Sequence, residues 1–297
     1  MLNFAAQAAR DCRAIAADLR AGGLFDDATT VERMAERITQ AQHFELPENG
    51  SLFDDDLRAL AGVELRLPYP VITASYIARH PTDGILRRMA LAEEIERADG
   101  LWVRVVAFAK AERWTPVPIA IELPSQAWED LSAQTAKLHE LADDPDICPP
   151  APPRYQFRPV AILPGLLDGI AQDRKETARV ILSATGPAES VMEMLEALSC
   201  ANVRADIAER VDPRVNARRI RDGKLPLWET RVLTVLCPRH AIARTASAGD
   251  RASPRQHLRR GHVRHLGDDR RIWIQPALVG DPVNGRIRKF YDVRVAA

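Results

Sequence analysis

The chain has 297 residues, 46% apolar and 28% charged, with 41 basic side chains balancing 41 acidic ones. That composition argues against wholesale disorder, a collagen-like rod and a disulfide-stapled miniprotein. No apolar run approaches the roughly 18 residues of a membrane span, and Met1-Leu2-Asn3-Phe4 opens no basic and apolar leader, so a cytoplasmic protein without a membrane partner is expected. The cysteines, Cys12, Cys148, Cys200 and Cys237, form no CxxC pair, which suits a reducing compartment.

The zero net charge conceals two unlike halves. Residues 1–150 carry 15 basic and 25 acidic side chains, and the rest carry 26 and 16. From Arg204 onward the ratio is 21 to 10. A basic half either docks on its acidic counterpart or takes an anionic partner. Of the 41 basic residues 36 are arginine, the side chain suited to planar, bidentate phosphate contact. A GC-rich genome would give the same bias, so position carries more weight than number.

In chain order, Phe4, Ala8, Cys12, Ile15 and Leu19 share one helical face that Gly22-Gly23 ends. Thr29 and Glu32 have the form of a capping box opening a second helix, with Val31, Met34 and Ile38 inward. From Val63 the pattern turns to strands: Val63–Leu67, then Val71–Ile77 after Pro68 and Pro70. Met89–Ile95 and Leu101–Phe108 follow, joined by the hairpin signal Asp99-Gly100, and then Thr115–Leu123 with Pro116 and Pro118. The expectation is an α+β fold with an antiparallel sheet and helices packed on one face.

Six prolines between Pro145 and Pro159 read as a stiff linker. The predicted organisation is an acidic unit 1–144, a linker 145–159 and a basic region 160–297. In the last region Glu176–Ala184 and Pro187–Cys200 read as two helices, with Pro187 at the first turn of the second. Asn216–Lys224 reads as a basic helix end closed by Gly223, and Trp228–Leu236 as a strand. Arg271–Val279 is expected to pair with Arg286–Val295.

The densest chemistry is the run Ser253–His265, with four arginines (Arg255, Arg259, Arg260, Arg264) and three histidines (His257, His262, His265). Arginines for phosphates beside aromatics such as Trp273 and Tyr291 are the recipe for single-stranded nucleic acid; a basic face docked on the acidic half is the plainer reading. Trp273, flanked by Ile272 and Ile274, is either a stacking platform or a core anchor. His257 and His262 are candidate general bases if the run cleaves RNA. Cys237 and His240 form a CxxH pair that His265 would extend to a weak zinc set; no cofactor is expected. The acidic clusters Asp54–Asp56, Glu93–Glu96 and Asp143–Asp146 lack metal-loop spacing, and phosphate-loop, dinucleotide and hydrolase-elbow motifs are missing.

The blocks His257-Leu-Arg-Arg-Gly-His262 and Ile272-Trp-Ile-Gln-Pro-Ala-Leu-Val279, with Asn216-x-x-Arg219-x-x-x-Gly223-Lys224-x-Pro226-Leu227 and Arg66–Pro70, resemble a group of phage and prophage proteins. That group includes a type V-A anti-CRISPR protein acting on the messenger RNA of its Cas nuclease during translation. The resemblance implies a counter-defence regulator that engages RNA or a ribosome-associated target, with a nascent peptide or a defence protein as further partners. Arg219 and Lys224 then join Arg255, Arg259, Arg260, Arg264 and Trp273 as nucleic-acid contacts. An endoribonuclease using the same histidines and a protein-interaction module without nucleic-acid binding are the alternatives.

Overall fold

The computed structural model describes residues 3–52, 66–80, 84–98, 100–124, 157–168, 170, 172–236, 255–259, 262–266, 270–274, 277–279 and 281–286. Helix α1 spans Phe4–Ala21 and α2 Phe25–Gln40. The predicted stripe of α1 is buried throughout, Cys12 at its centre, and Val31, Met34 and Ile38 of α2 face it. The capping box does not form: α2 begins four residues before Thr29, whose hydroxyl donates to the Phe25 carbonyl within the helix. Asp26 and Asp27 in the first turn favour that earlier start through the helix dipole.

Strand β1 (Gln42–Glu45) follows, then β2 (Val71–His80), β3 (Gly84–Arg97), β4 (Gly100–Lys110), β5 (Trp114–Pro124) and β6 (Arg158–Ala161). The β3–β4 hairpin forms where Asp99-Gly100 predicts it, Arg97 standing opposite Gly100. In β5 the two prolines are absorbed by a bulge: Pro116 pairs with Phe108 and Ala120 with Val106, so residues 117–119 share the position of Ala107. The freed Pro118 carbonyl accepts the N–H groups of Ile162 and Leu163. Beyond β6 come the short helix α3 (Pro164–Leu167), α4 (Arg174–Leu198), β7 (Val203–Glu209), α5 (Pro213–Arg221) and β8 (Thr230–Val235).

Eight strands share one sheet in the order β6-β5-β4-β3-β2-β1-β8-β7. It is mixed and not antiparallel, because β1 runs parallel to both β2 and β8. Nor are the helices confined to one face. Met89, Leu91, Val106 and Phe108 face α1 and α2, while Ala74, Ala90, Ala92 and Ala107 on the reverse take α4. The small residues of that second face, with Ala184 and Ala188 on the helix, let α4 lie close to the sheet. Strands covered on both sides lose alternation and read as continuous apolar runs, as Val105–Phe108 does. Strands on both sides of residues 125–156 thus belong to one sheet. Of the Pro-rich stretch, 145–156 lies outside the described residues, and Arg158 and Pro159 begin β6.

The two helices expected around residues 176–200 are one. Helix α4 runs through Pro187, and Asp173 caps its start by accepting from the N–H groups of Lys175 and Glu176. Gly186 precedes Pro187 without a Cβ, which removes part of the clash that keeps a residue before proline out of the α region. At the other side of α4 Gly50 has φ +69, and a Cβ there would stand 2.3 Å from Ser190 Oγ, so turn and helix meet at van der Waals closeness.

The C-terminal strands pair differently from expectation. Strand β9 (Arg255–Arg259) lies between β12 (Ala277–Val279) and β13 (Asp281–Arg286), and β10 (His262–Leu266) pairs with β11 (Arg270–Ile274). Residues 270–279 are therefore two strands with separate partners, and 287–295 lie outside the described residues. The Val63–Leu65 strand expectation also lies outside them, and Arg66 and Leu67 are not in a strand. Among the described residues no helix is long and apolar enough to cross a membrane.

Candidate functional site

Arg255, His257 and Arg259 stand at alternate positions along β9, about 6.6 Å of strand from one to the next. Cross-strand register divides the rest of the basic run. Val263 pairs with Trp273 and His265 with Arg271, whereas His262 pairs with Ile274 and Arg264 with Ile272. Arg264 is exposed. Arg260, Cys237 and His240 lie outside the described residues, and among the described residues no group of three or more His, Cys, Asp or Glu could hold a metal. Asp54–Asp56 and Asp143–Asp146 also lie outside. Glu93 pairs with Arg37 of α2 and with Arg104 across β4, and Glu94 with Arg66 and the Leu67 N–H, so both carboxylates are taken up by ion pairs and hydrogen bonds.

The Asn216–Leu227 motif has a local structural logic. Pro213 begins α5, Asp212 caps it, and Gly223 at φ +68 ends it in a Schellman motif, the Lys224 N–H donating to Arg219 and the Gly223 N–H to Ile220. Asn216 clamps the returning chain, its amide donating to the Leu227 carbonyl and its oxygen accepting the Leu227 N–H, each at 2.8 Å. Arg219 Nε donates to the Leu225 carbonyl, and Asn3 of the N-terminus holds the Pro226 carbonyl. Arg219 is thus engaged in fixing residues 224–229, while Lys224 stands exposed beside it. Asn216→Ala removes two hydrogen bonds and is expected to cost about 1–2 kcal/mol, read by denaturant melting, with Trp228 emission shifting as its loop loosens.

That loop delivers Trp228 onto His43 of β1. The rings stack with centroids 4.9 Å apart and planes 9° from parallel. His43 is buried, and burial pulls its pKa down to about 4, so the imidazole is neutral at neutral pH. Its Nδ1 lies 2.8 Å from Thr73 Oγ1 on the neighbouring strand. The Thr73 hydroxyl is itself buried and has no other partner among the described residues, so donating to Nδ1 is what satisfies it. The ring proton then sits on Nε2. Stack and loop border a cleft of about 570 Å³ closed on its far side by α5 and at its end by Thr39 and Ala41. Gln42 lines it too, its oxygen held by Arg231 Nε so that the amide NH2 is directed elsewhere.

Sequence reading missed His43, because it lies in a four-residue polar strand with no motif around it, and took Trp228 only as the start of a strand. The signal present was the Asn-x-x-Arg-x-x-x-Gly-Lys-x-Pro spacing, which marks a clamped loop. Together these features define an α+β protein with a mixed, doubly covered sheet and a cleft at its β1–β8 side. Comparison of the chain with protein-family models, with curated proteins and with solved structures returns no match.

Proposed function

We propose that this chain is an RNA-engaging regulator of the phage counter-defence kind, acting through its basic C-terminal strands to lower expression of a target. The observation that carries the reading is the alternation Arg255-x-His257-x-Arg259 along strand β9, a repeat of basic residues at strand spacing that suits successive phosphates of an extended single strand. The resemblance of the Arg-Arg-Gly-His block to phage proteins supports the counter-defence role.

The test is filter binding of mixed single-stranded RNA over a salt series. Phosphate contact predicts a log–log salt slope of about −0.7 per contact, and the Arg255→Ala/Arg259→Ala double variant should be weaker and shallower by about 1.4. Salt-independent binding, or none at low salt, would overturn the reading in favour of a protein partner. Cleavage of the RNA that His257→Ala or His262→Ala abolishes would convert it to the endoribonuclease alternative.

A further inference from the structure

We infer that the His43–Trp228 cleft is a binding site for one unstacked nucleobase, from single-stranded RNA or a free mononucleotide. Its lining contains none of the β9 residues, so it does not depend on them.

The first support is the state of α5. This helix buries no residue, although Pro213, Asn216, Ala217 and Ile220 recur at i, i+3, i+4 and i+7 along the side that faces the cleft. Ile220 is 62% exposed there. A stripe at core spacing with no core behind it among the described residues is a wall awaiting an occupant. Asn216, Arg219 and the Schellman turn nonetheless hold the helix in place, so the gap is built and not a loose end.

The second support is the chemistry of the opposite wall. His43 is nine-tenths buried, neutral, and offers an Nε2 proton that no described residue accepts. Trp228 Nε1 likewise has no acceptor among the described residues, and Gln42 has an amide NH2 left over once Arg231 takes its oxygen. These are neutral donors around an aromatic pair. They fit a flat, uncharged ligand with carbonyl or ring-nitrogen acceptors on its edge, and the exposed Glu229 carboxylate at the rim suits an amino or imino N–H on the same ligand. Nucleobases have both.

Charge fixes the orientation. Among the described residues no lysine or arginine lines the cleft, so a phosphate finds no cation there to pair with. Arg214, Arg218 and Arg221 are exposed on the same helix at positions that do not line the cleft. The base enters and the phosphate stays outside, within the field of that helix. The volume lies in the range of small-ligand sites.

Ala217→Trp places an indole in the cleft from a helix that packs against no core, so it fills the site without disturbing the fold; a thermal melt matching wild type confirms this. Equilibrium dialysis with AMP, GMP, CMP and UMP, and anisotropy with labelled oligouridylate and oligoadenylate, should show binding that Ala217→Trp weakens by about five- to a hundredfold. Loss on mononucleotides and oligomers alike identifies the base itself as the ligand, and loss on oligomers alone identifies an RNA base. Binding unchanged in Ala217→Trp, or no binding of either probe to wild type, overturns the inference. The Arg255→Ala/Arg259→Ala variant separates the two sites. If it leaves RNA binding intact the β9 proposal fails while the cleft stands, and if it alone weakens RNA the reverse holds.

Discussion

Glu122→Ala should destabilise the protein by about 3–5 kcal/mol, the largest loss expected from any single charged side chain here. Glu122 lies in β5, fully buried, and its Oε1 receives Arg97 Nη2 at 2.5 Å and Arg104 Nη2 at 2.9 Å. Both guanidiniums reach partly into solvent, but Arg97 has no other carboxylate within ion-pair distance among the described residues, and Arg104 keeps only a long contact to Glu93. Removing the carboxylate leaves two half-desolvated cations side by side, and their repulsion adds to the lost attraction. Glu122 Oε2 has no partner among the described residues, so the triad is not optimised for stability. Replacing all three residues together, as Glu122→Leu/Arg97→Met/Arg104→Leu, should therefore recover most of what Glu122→Ala loses. Urea melts of the single and triple variants decide it. A single variant within 1 kcal/mol of wild type would show that solvent already screens the pair.

Asp11→Ala should cost about 2–4 kcal/mol, and the loss should depend on pH. Asp11 projects from α1 to the turn between β4 and β5, where its Oδ2 accepts the Trp114 N–H at 2.9 Å and lies 3.5 Å from Lys110 Nζ, while Oδ1 takes Arg10. It ties the first helix to a strand some hundred residues on. Burial alone would raise its pKa; the Trp114 N–H, Arg10 and Lys110 outweigh burial and hold the carboxyl below its ordinary value. The folded state therefore favours the ionised form. That contribution is fully present above the unfolded-state pKa of about 3.9 and is lost as pH falls through the lower folded value. Melts of wild type and Asp11→Asn should diverge at neutral pH and converge below about pH 4. A gap that stayed constant to pH 2 would assign the effect to hydrogen bonding alone.

The N-terminal helices were legible because an amphipathic helix packed on one side writes its period into the sequence, as Phe4, Ala8, Cys12, Ile15 and Leu19 do. The β3–β4 hairpin was legible because Asp99-Gly100 is a local device whose geometry needs no distant partner. The basic run and the closing Gly223 could be read in the same way. The start of α2 and the unity of α4 were not, since a capping box and a proline are local signals that an earlier acidic first turn and Gly186 override.

The strand content of 71–124, the helix stripes and the charge division follow from the sequence by itself, because each depends on neighbours within a few residues. Only the tertiary structure decided that β1 inserts parallel between β2 and β8, that α4 covers the second face, and that Trp228 meets His43. Parallel pairing and ring stacking across 185 residues of chain depend on which surfaces are left unburied once everything else has packed, and no local pattern encodes that remainder.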